Sequence, residues 1–456
     1  MILRVSLSLL FLLAGTVLGQ GKPKADDLAA GNTAGWPQTT SPGSQAGANG
    51  QQQTSAAAPA ATRITLDQAI ALALANSPSI KATRTQIEQN KAQEVTANLR
   101  PNPVLSWDSQ FIPIFEPGSF STNTLDNLQQ FDVGVGYLFE RGHKRQNRLR
   151  AARDQTAVTT SQVADAERTL TFNVAQQFIN ALLANSNLLF AQEALTSFQQ
   201  TVAISEERYR AGDISQGDLL KIKLQLLQFQ TDVSSARVAR VQALGSLRQL
   251  LGYNSVPRDY DVAGDLNYQP LKASLDQLQA LASNSRPDLR AAQQGITAAQ
   301  SQISLARANG KQDLNTTINY SHVSGLSSTS LFFNIPIPIF NRNQGEIART
   351  RAALTQAELT ANGTEQTVLT DVSNAYEAAT TNQEVVQLYT SGYLKQAQDS
   401  RDISVYAYRA GAATLLDFLD AERSYRATEL AYRQALAAYM LSLEQLRQAV
   451  GTRSLP

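Results

Sequence analysis

Cysteine is absent from the 456 residues, which removes disulfides, thiolate metal sites and a cysteine nucleophile. Histidine is nearly absent: only His143 and His322 occur, far apart in the chain, so a catalytic metal site or a His-based general base is poorly supplied. Excess charge of either sign is missing as well. The 39 Lys and Arg are balanced by 38 Asp and Glu, whereas a nucleic-acid-binding surface wants a concentrated basic excess. No phosphate loop, cofactor fingerprint or nucleophile constellation occurs anywhere. The sequence therefore offers no enzyme, no cofactor, no bound metal and no nucleic-acid partner. After the run Val5–Leu13 there is no apolar stretch long enough for a transmembrane helix. If the mature chain enters a membrane, it does so by strands.

The amino terminus has one arginine, a short apolar run and then small residues, Ala14-Gly15-Thr16-Val17-Leu18-Gly19, the pattern of a secretory signal peptide with cleavage near Gly19–Gln20. Val17-Leu18-Gly19 has the form of a lipobox, but Gln20 stands where the lipidated cysteine would be. Gly, Ala, Ser, Thr, Gln and Pro dominate up to about residue 62. Such a stretch has too little apolar surface to offset the entropy of ordering, so it is expected to be a flexible leader.

The sequence then repeats itself. Leu66-Asp67-Gln68 returns as Leu275-Asp276-Gln277, and Asn76-Ser77-Pro78 as Ser285-Arg286-Pro287; 275 − 66 and 287 − 78 both give 209. Tyr209-Arg210-Ala211-Gly212 returns as Tyr408-Arg409-Ala410-Gly411, where 408 − 209 gives 199, a drift placed in a longer loop after Trp107. Two similar halves imply one architecture built twice. The chain divides into a signal peptide (1–19), a flexible leader (20–62) and two copies of one unit (63–262 and 263–456).

Each copy opens with helix, over about 66–99 and 275–308, broken near Pro78 and Pro287. Segments with a period of 2 follow. Phe131, Val133, Val135, Tyr137 and Phe139 recur at every second position, with Asp132, Gly134 and Gly136 between them, as do Leu314, Thr316, Ile318 and Tyr320, then Leu331, Phe333, Ile335, Ile337 and Ile339, and more weakly Leu105, Trp107 and Phe111. Such alternation means strands with one apolar and one polar face. Four strands cannot close a core or a barrel alone, but sharing them between chains removes the edges. From about 145 to 208 there is neither proline nor glycine, and a helix of that span would be roughly 100 Å long. Val174, Ala181, Leu188, Leu195, Val202 and Tyr209 follow a heptad spacing, with Ala184, Ala191 and Phe198 on the companion position; this is a coiled-coil seam. A return helix over about 216–250 follows Gly212, and the second copy is expected to repeat the pair over about 343–408 and 414–449. The fold class is mainly α with a small β part.

The paired Tyr-Arg-Ala-Gly turns, the helix starts Asp218-Leu219-Leu220 and Asp417-Phe418-Leu419-Asp420-Ala421, and the segment from Ile335 to Glu346 resemble the TolC family of outer-membrane efflux proteins, over residues 64–452. The wording of the 335–346 segment is especially similar to the heavy-metal branch, which serves exporters of the resistance–nodulation–division type. The resemblance implies a homotrimer in the outer membrane of a Gram-negative-type cell, a twelve-stranded β-barrel in lipid and a periplasmic α-helical barrel. Its partners would be a periplasmic adaptor protein and, through it, an inner-membrane pump; passage would be passive. The turns Arg210-Ala211-Gly212 and Arg409-Ala410-Gly411 would contact the adaptor. Asp417 and Asp420 match aspartates that ring the closed aperture, and Tyr408 and Asp218 match a tyrosine and an aspartate that hydrogen-bond across neighbouring tip helices. Two residues after the second turn glycine, where the family's best-known member has arginine, this chain has Ala413, and Arg210 and Arg409 are candidates to take its place. Two other readings stay open at this point. Asp417 and Asp420, three apart on one helix face, also suit an ordinary helix start. The whole chain also suits a trimeric, barrel-anchored coiled-coil surface protein, although strands in both halves favour the duct. The exported substrate is not written in the sequence.

Overall fold

Proline and small capping residues set the limits of the short helices. In the computed structural model, which describes residues 62–110, 115, 118 and 130–455, the chain begins with β1 (Arg63–Ile64), α1 (Leu66–Asn76) and α2 (Pro78–Asn98), followed by β2 (Val104–Gln110) and β3 (Gln130–Phe139). Then come α3 (Lys144–Ala211), α4 (Gln216–Leu251) and β4 (Asp261–Val262). The order continues with α5 (Leu275–Ser285), α6 (Pro287–Asn309), β5 (Leu314–Val323), β6 (Leu326–Asn334), α7 (Gln344–Leu388), one π-helical turn (Tyr389–Tyr393), α8 (Leu394–Arg409) and α9 (Leu415–Val450). Thr65 and Gln68 form a reciprocal capping box at α1, and Ser274 with Gln277 does the same at α5. Pro78 and Pro287 occupy the first turns of α2 and α6, where a missing N–H breaks no helical bond. The expected signal peptide and all of the expected leader except Thr62 lie outside the described residues, as do Phe111 and most of the loop before β3.

The sheet is antiparallel throughout, in the order β2-β3-β5-β6. Its register aligns Trp107 with Val133 and Tyr320, and Leu105 with Val135, Ile318 and Leu331. Residues paired in this way share a face, so the apolar alternation of all four strands falls on one side, where Leu105, Trp107, Val135, Ile318, Leu331 and Phe333 are exposed. The opposite face carries Ser106, Asp132, Asn319 and Ser321, with Asn319 Nδ2 donating to Ser321 Oγ at 3.2 Å. Gly134 leaves room for these polar side chains: a Cβ would stand 2.8 Å from Asn319 Oδ1 and from Ser106 Oγ, which would have to move aside. β5 and β6 are joined by Ser324 and Gly325, both at positive φ, the geometry of a two-residue turn whose twist matches its strands. One expectation is corrected. The alternating run to Ile339 leaves the sheet at Asn334, because Pro336 and Pro338 have no N–H for the ladder.

The helix α3 runs 68 residues without interruption, about 100 Å. It packs along α2, α4, α6 and α9. Of the expected seam, Val174, Ala181, Leu188 and Val202 are buried, and so is Phe198; Tyr209 is exposed. The second long helix is not continuous as expected. It breaks at Tyr389–Tyr393, where Gly392 has φ 142°, outside helical space, a conformation that glycine reaches without a Cβ clash. No helix of the described residues is long and apolar enough to cross a membrane. One core gathers Ile70, Val174, Phe178, Leu247 and Leu251 from the first half; another gathers Leu278, Leu289, Val368, Val372 and Leu446 from the second. Arg286 is buried among the latter helices, with Asp288 at 2.5 Å and Asp371 at 2.9 Å. Burial pushes the Asp288 carboxyl up, but the hydrogen bond and charge of Arg286, with the charge of Arg168 and the Leu289 N–H, together outweigh it and leave it below the usual carboxylate range.

Candidate functional site at the helix turns

Both long hairpins turn with the same chemistry. Gly212 (φ 87°) ends α3 and Gly411 (φ 76°) follows α8; the left-handed backbone is the reason for glycine at each. Three residues later Ser215 and Thr414 cap the return helices, each accepting the N–H of Asp218 or Asp417. The turn residues Arg210, Ala211, Gly212, Arg409, Ala410 and Gly411 are all exposed. Arg210 is paired with Glu207 at 2.5 Å.

Asp417 closes the capping box, its Oδ2 accepting from Thr414 Oγ1 at 2.7 Å and Thr414 N at 3.2 Å. Asp218 is held in the same way by Ser215 Oγ at 2.9 Å, with Lys221 at 3.5 Å. Asp420, one turn further along α9, is exposed and pairs with Arg423 at 2.6 Å, a contact that solvent makes weak. Asp417 and Asp420 lie on the exposed part of the α9 start beside Leu416, which is 76% exposed. Asp417 therefore has a local capping role whatever else it does.

The two tyrosines of the turns differ. Tyr209 is 40% exposed and Tyr408 only 3%. Within the chain Tyr408 does not meet Asp218. Its hydroxyl lies 3.4 Å from Ser205 Oγ, its carbonyl accepts from Arg208 Nη1 at 2.7 Å, and the Arg208 guanidinium stands 5.2 Å from the ring centroid. Arg208, rather than Arg210 or Arg409, is thus the arginine that reaches Tyr408; Ala413 makes no such link.

Sequence reasoning missed the packing beneath the turns. Tyr408 stacks on Phe418 at 5.1 Å, Phe418 on Phe198 at 6.1 Å, and Phe198 on Phe229 at 4.4 Å, all within 15° of parallel. The Arg426 guanidinium caps the series 4.2 Å from Phe229 and pairs with Asp232. One stack thereby ties α3, α4, α8 and α9 together. Beside it Glu422 is held above the ordinary glutamate range by burial, which Arg401 and Arg426 oppose. Phe198 carried the signal of its place on the companion seam, and Tyr408 and Phe418 stand in the turn and helix-start motifs, but nothing in the sequence pointed to their stacking. No group of His, Cys, Asp or Glu that could hold a metal ion occurs among the described residues.

Comparison with known proteins gives one consistent result. The family described as outer membrane efflux protein matches residues 69–253 and 278–452. The cation efflux system protein CusC of Escherichia coli K12 is 26% identical over 379 residues, 79% of this chain and 80% of CusC. The cobalt-zinc-cadmium resistance protein CzcC of Cupriavidus metallidurans is 24% identical over 397 residues, 86% of this chain and 90% of CzcC. The pyoverdine export outer membrane protein OpmQ of Pseudomonas putida is 26% identical over 414 residues, 85% of each. Among solved structures, CusC superposes with a TM-score of 0.70 at 23% identity, covering 88% of this chain and 96% of that one. The CmeC outer membrane channel of Campylobacter jejuni gives 0.69 at 17% identity, covering 85% of each.

Proposed function

We infer the function from one premise: the chain belongs to the outer membrane efflux protein family. It is a channel subunit of a tripartite efflux system, seated in the outer membrane of a Gram-negative-type cell with its helical part in the periplasm. It is a passive conduit and not an enzyme. Its likeness to CusC and CzcC assigns it to the heavy-metal branch of TolC-like proteins. Adaptor and pump partners follow from the tripartite arrangement.

The finer reading is a homotrimer. The observation that carries it is the four-stranded sheet, whose apolar face is exposed and whose edge strands, β2 and β6, have no further strand beside them among the described residues. Three such sheets, 3 × 4 strands, would make a twelve-stranded wall with its apolar face toward lipid and its polar face toward a lumen. The recurring order of helices, strand pair and long hairpin supports two copies of one unit, over 63–262 and 263–456. The exposed turns at 210–212 and 409–411 suit the adaptor. Asp417 and Asp420, brought together from three chains, would line the aperture, with Tyr408 and Asp218 among its closing contacts.

Planar-bilayer conductance of the purified protein tests the aperture. Like charges crowded at a constriction draw cations into it. Asp420→Asn, which leaves the capping box intact, and its combination with Asp417→Asn are expected to lower cation selectivity and weaken block by divalent cations. Unchanged selectivity and block in the double variant would leave both residues as helix-start carboxylates only.

A further inference from the structure

All four strands meet the helices at one end of the sheet. There the register sets the start of β2 beside the end of β3, the end of β3 beside the start of β5, and the start of β5 beside the end of β6. Arg100, Arg141, Arg145, Lys311 and Arg342 belong to the segments at this end. None of them has a carboxylate at ion-pair distance among the described residues, and the nearby carboxylates are already engaged: Asp313 with Lys144 at 2.7 Å, and Glu140 with Arg148. A cleft of about 270 Å³ opens beside two of them, lined by Arg100 and Arg145, by the already paired Lys144 and Glu140 and, from the apolar face of β3, by Tyr137 and Phe139. Beyond β6 at the same end, Ile337 is 79% exposed and Phe340 88%.

We propose that this cleft is a binding site for the headgroup of an anionic phospholipid in the periplasm-facing leaflet of the membrane. The inference rests on the reading of the sheet as a membrane wall. Charge complementarity selects the occupant. A phosphodiester supplies acceptors for the Arg100 and Arg145 guanidinium groups that line the cleft, and Arg recognises it through two parallel donors. Acyl chains would lie on the apolar face of β3 directly above, while Ile337 and Phe340 enter the same interfacial layer. A soluble anion would satisfy the cations and leave Tyr137 and Phe139 uncovered; a zwitterionic headgroup would bring a competing ammonium.

The test counts lipids retained by the full-length assembly in native mass spectrometry, from micelles holding equal amounts of phosphatidylglycerol and phosphatidylcholine. Wild type is expected to favour phosphatidylglycerol, by roughly tenfold or more given the contribution of each cation near an anionic surface. The preference is expected to collapse in the Arg100→Gln/Arg145→Gln variant, to persist in Arg100→Lys/Arg145→Lys, and to fade as salt is raised, with phosphatidylcholine retention steady. The salt series needs only wild type, so it decides even where a variant fails to assemble. Equal retention of both lipids, an unchanged preference in the Gln variant, or displacement of phosphatidylglycerol by equimolar glycerol phosphate would overturn the site. Retention of no lipid at all would instead overturn the membrane-wall reading, and the site with it.

Discussion

Phe418 is 1% exposed and stands at the centre of the tip stack, between Tyr408 and Phe198. Cutting a buried phenylalanine to alanine costs about 3–5 kcal/mol, and here the loss falls on contacts linking three helices. Phe418→Ala is expected to speed amide exchange at the ends of α8 and α9 by about a hundredfold or more, while the Val174–Leu251 core is unaffected. Glu422 sits at the edge of the same stack, facing Arg401 and Asp402 from α8 and Arg426 from its own helix. Its pKa is raised in the folded state, chiefly by burial. Its favourable contribution is therefore complete below the unfolded value of about 4.3 and is lost as pH rises through the higher folded value. Tip protection against exchange, corrected for intrinsic rates, should fall over that window in wild type and stay level in Glu422→Gln. A parallel fall in both proteins would assign the pH response to another group.

At the scale of elements, the strands and long helices were legible because one signal dominated each. Val133, Val135 and Tyr137 alternate with polar or small residues, and the 68 residues of α3 contain no helix breaker. What was not legible depended on partners distant in sequence. Ile335, Ile337 and Ile339 keep the strand period, yet the intervening prolines deny the ladder its donors. Tyr209 and Tyr408 stand in identical tetrapeptides, yet only Tyr408 meets a ring, Phe418, from the following helix. Asp417 was legible as a candidate site residue, but its hydrogen bonds to Thr414 depend on cap geometry that spacing alone leaves open. The break at Gly392 belongs with these: α7, just before it, contains Gly345 and Gly363, and of the three only Gly392 takes a positive φ. Gly392→Ala has room for the methyl group but not the backbone conformation, and should cost about 1 kcal/mol or more. Gly345→Ala, in regular helix with nothing within 4 Å of its new Cβ, should be neutral or stabilising. Faster exchange near residue 392 only in the former checks the assignment; equal effects would remove the strain argument.

For the whole molecule the decisive question is what covers the edges of the sheet. Within one chain β2 and β6 are separated by β3 and β5, about 14 Å at the usual strand spacing, whereas a disulfide needs Cα atoms within about 7 Å. A single chain in this arrangement cannot join its own two edges. In a closed trimeric wall, β2 of each chain would pair with β6 of a neighbour. The natural absence of cysteine gives a clean background for testing this. Cysteine pairs scanned across Val104–Asp108 of β2 and Ser328–Phe332 of β6, for example Ser106→Cys with Ser330→Cys, are expected to yield covalent dimers and closed trimers on non-reducing gels. The in-register pair should react fastest, because one-residue shifts place the thiols on opposite faces. The mass of the detergent-extracted protein should equal three chains before and after oxidation. Intrachain disulfides without a gain in mass would mean that the four strands close on themselves, and a monomer with full β content would mean that the edges stay open. Either result would end the trimeric-wall reading, while membership of the efflux family, which rests on the match over 69–253 and 278–452, would stand and require another way to protect the edges.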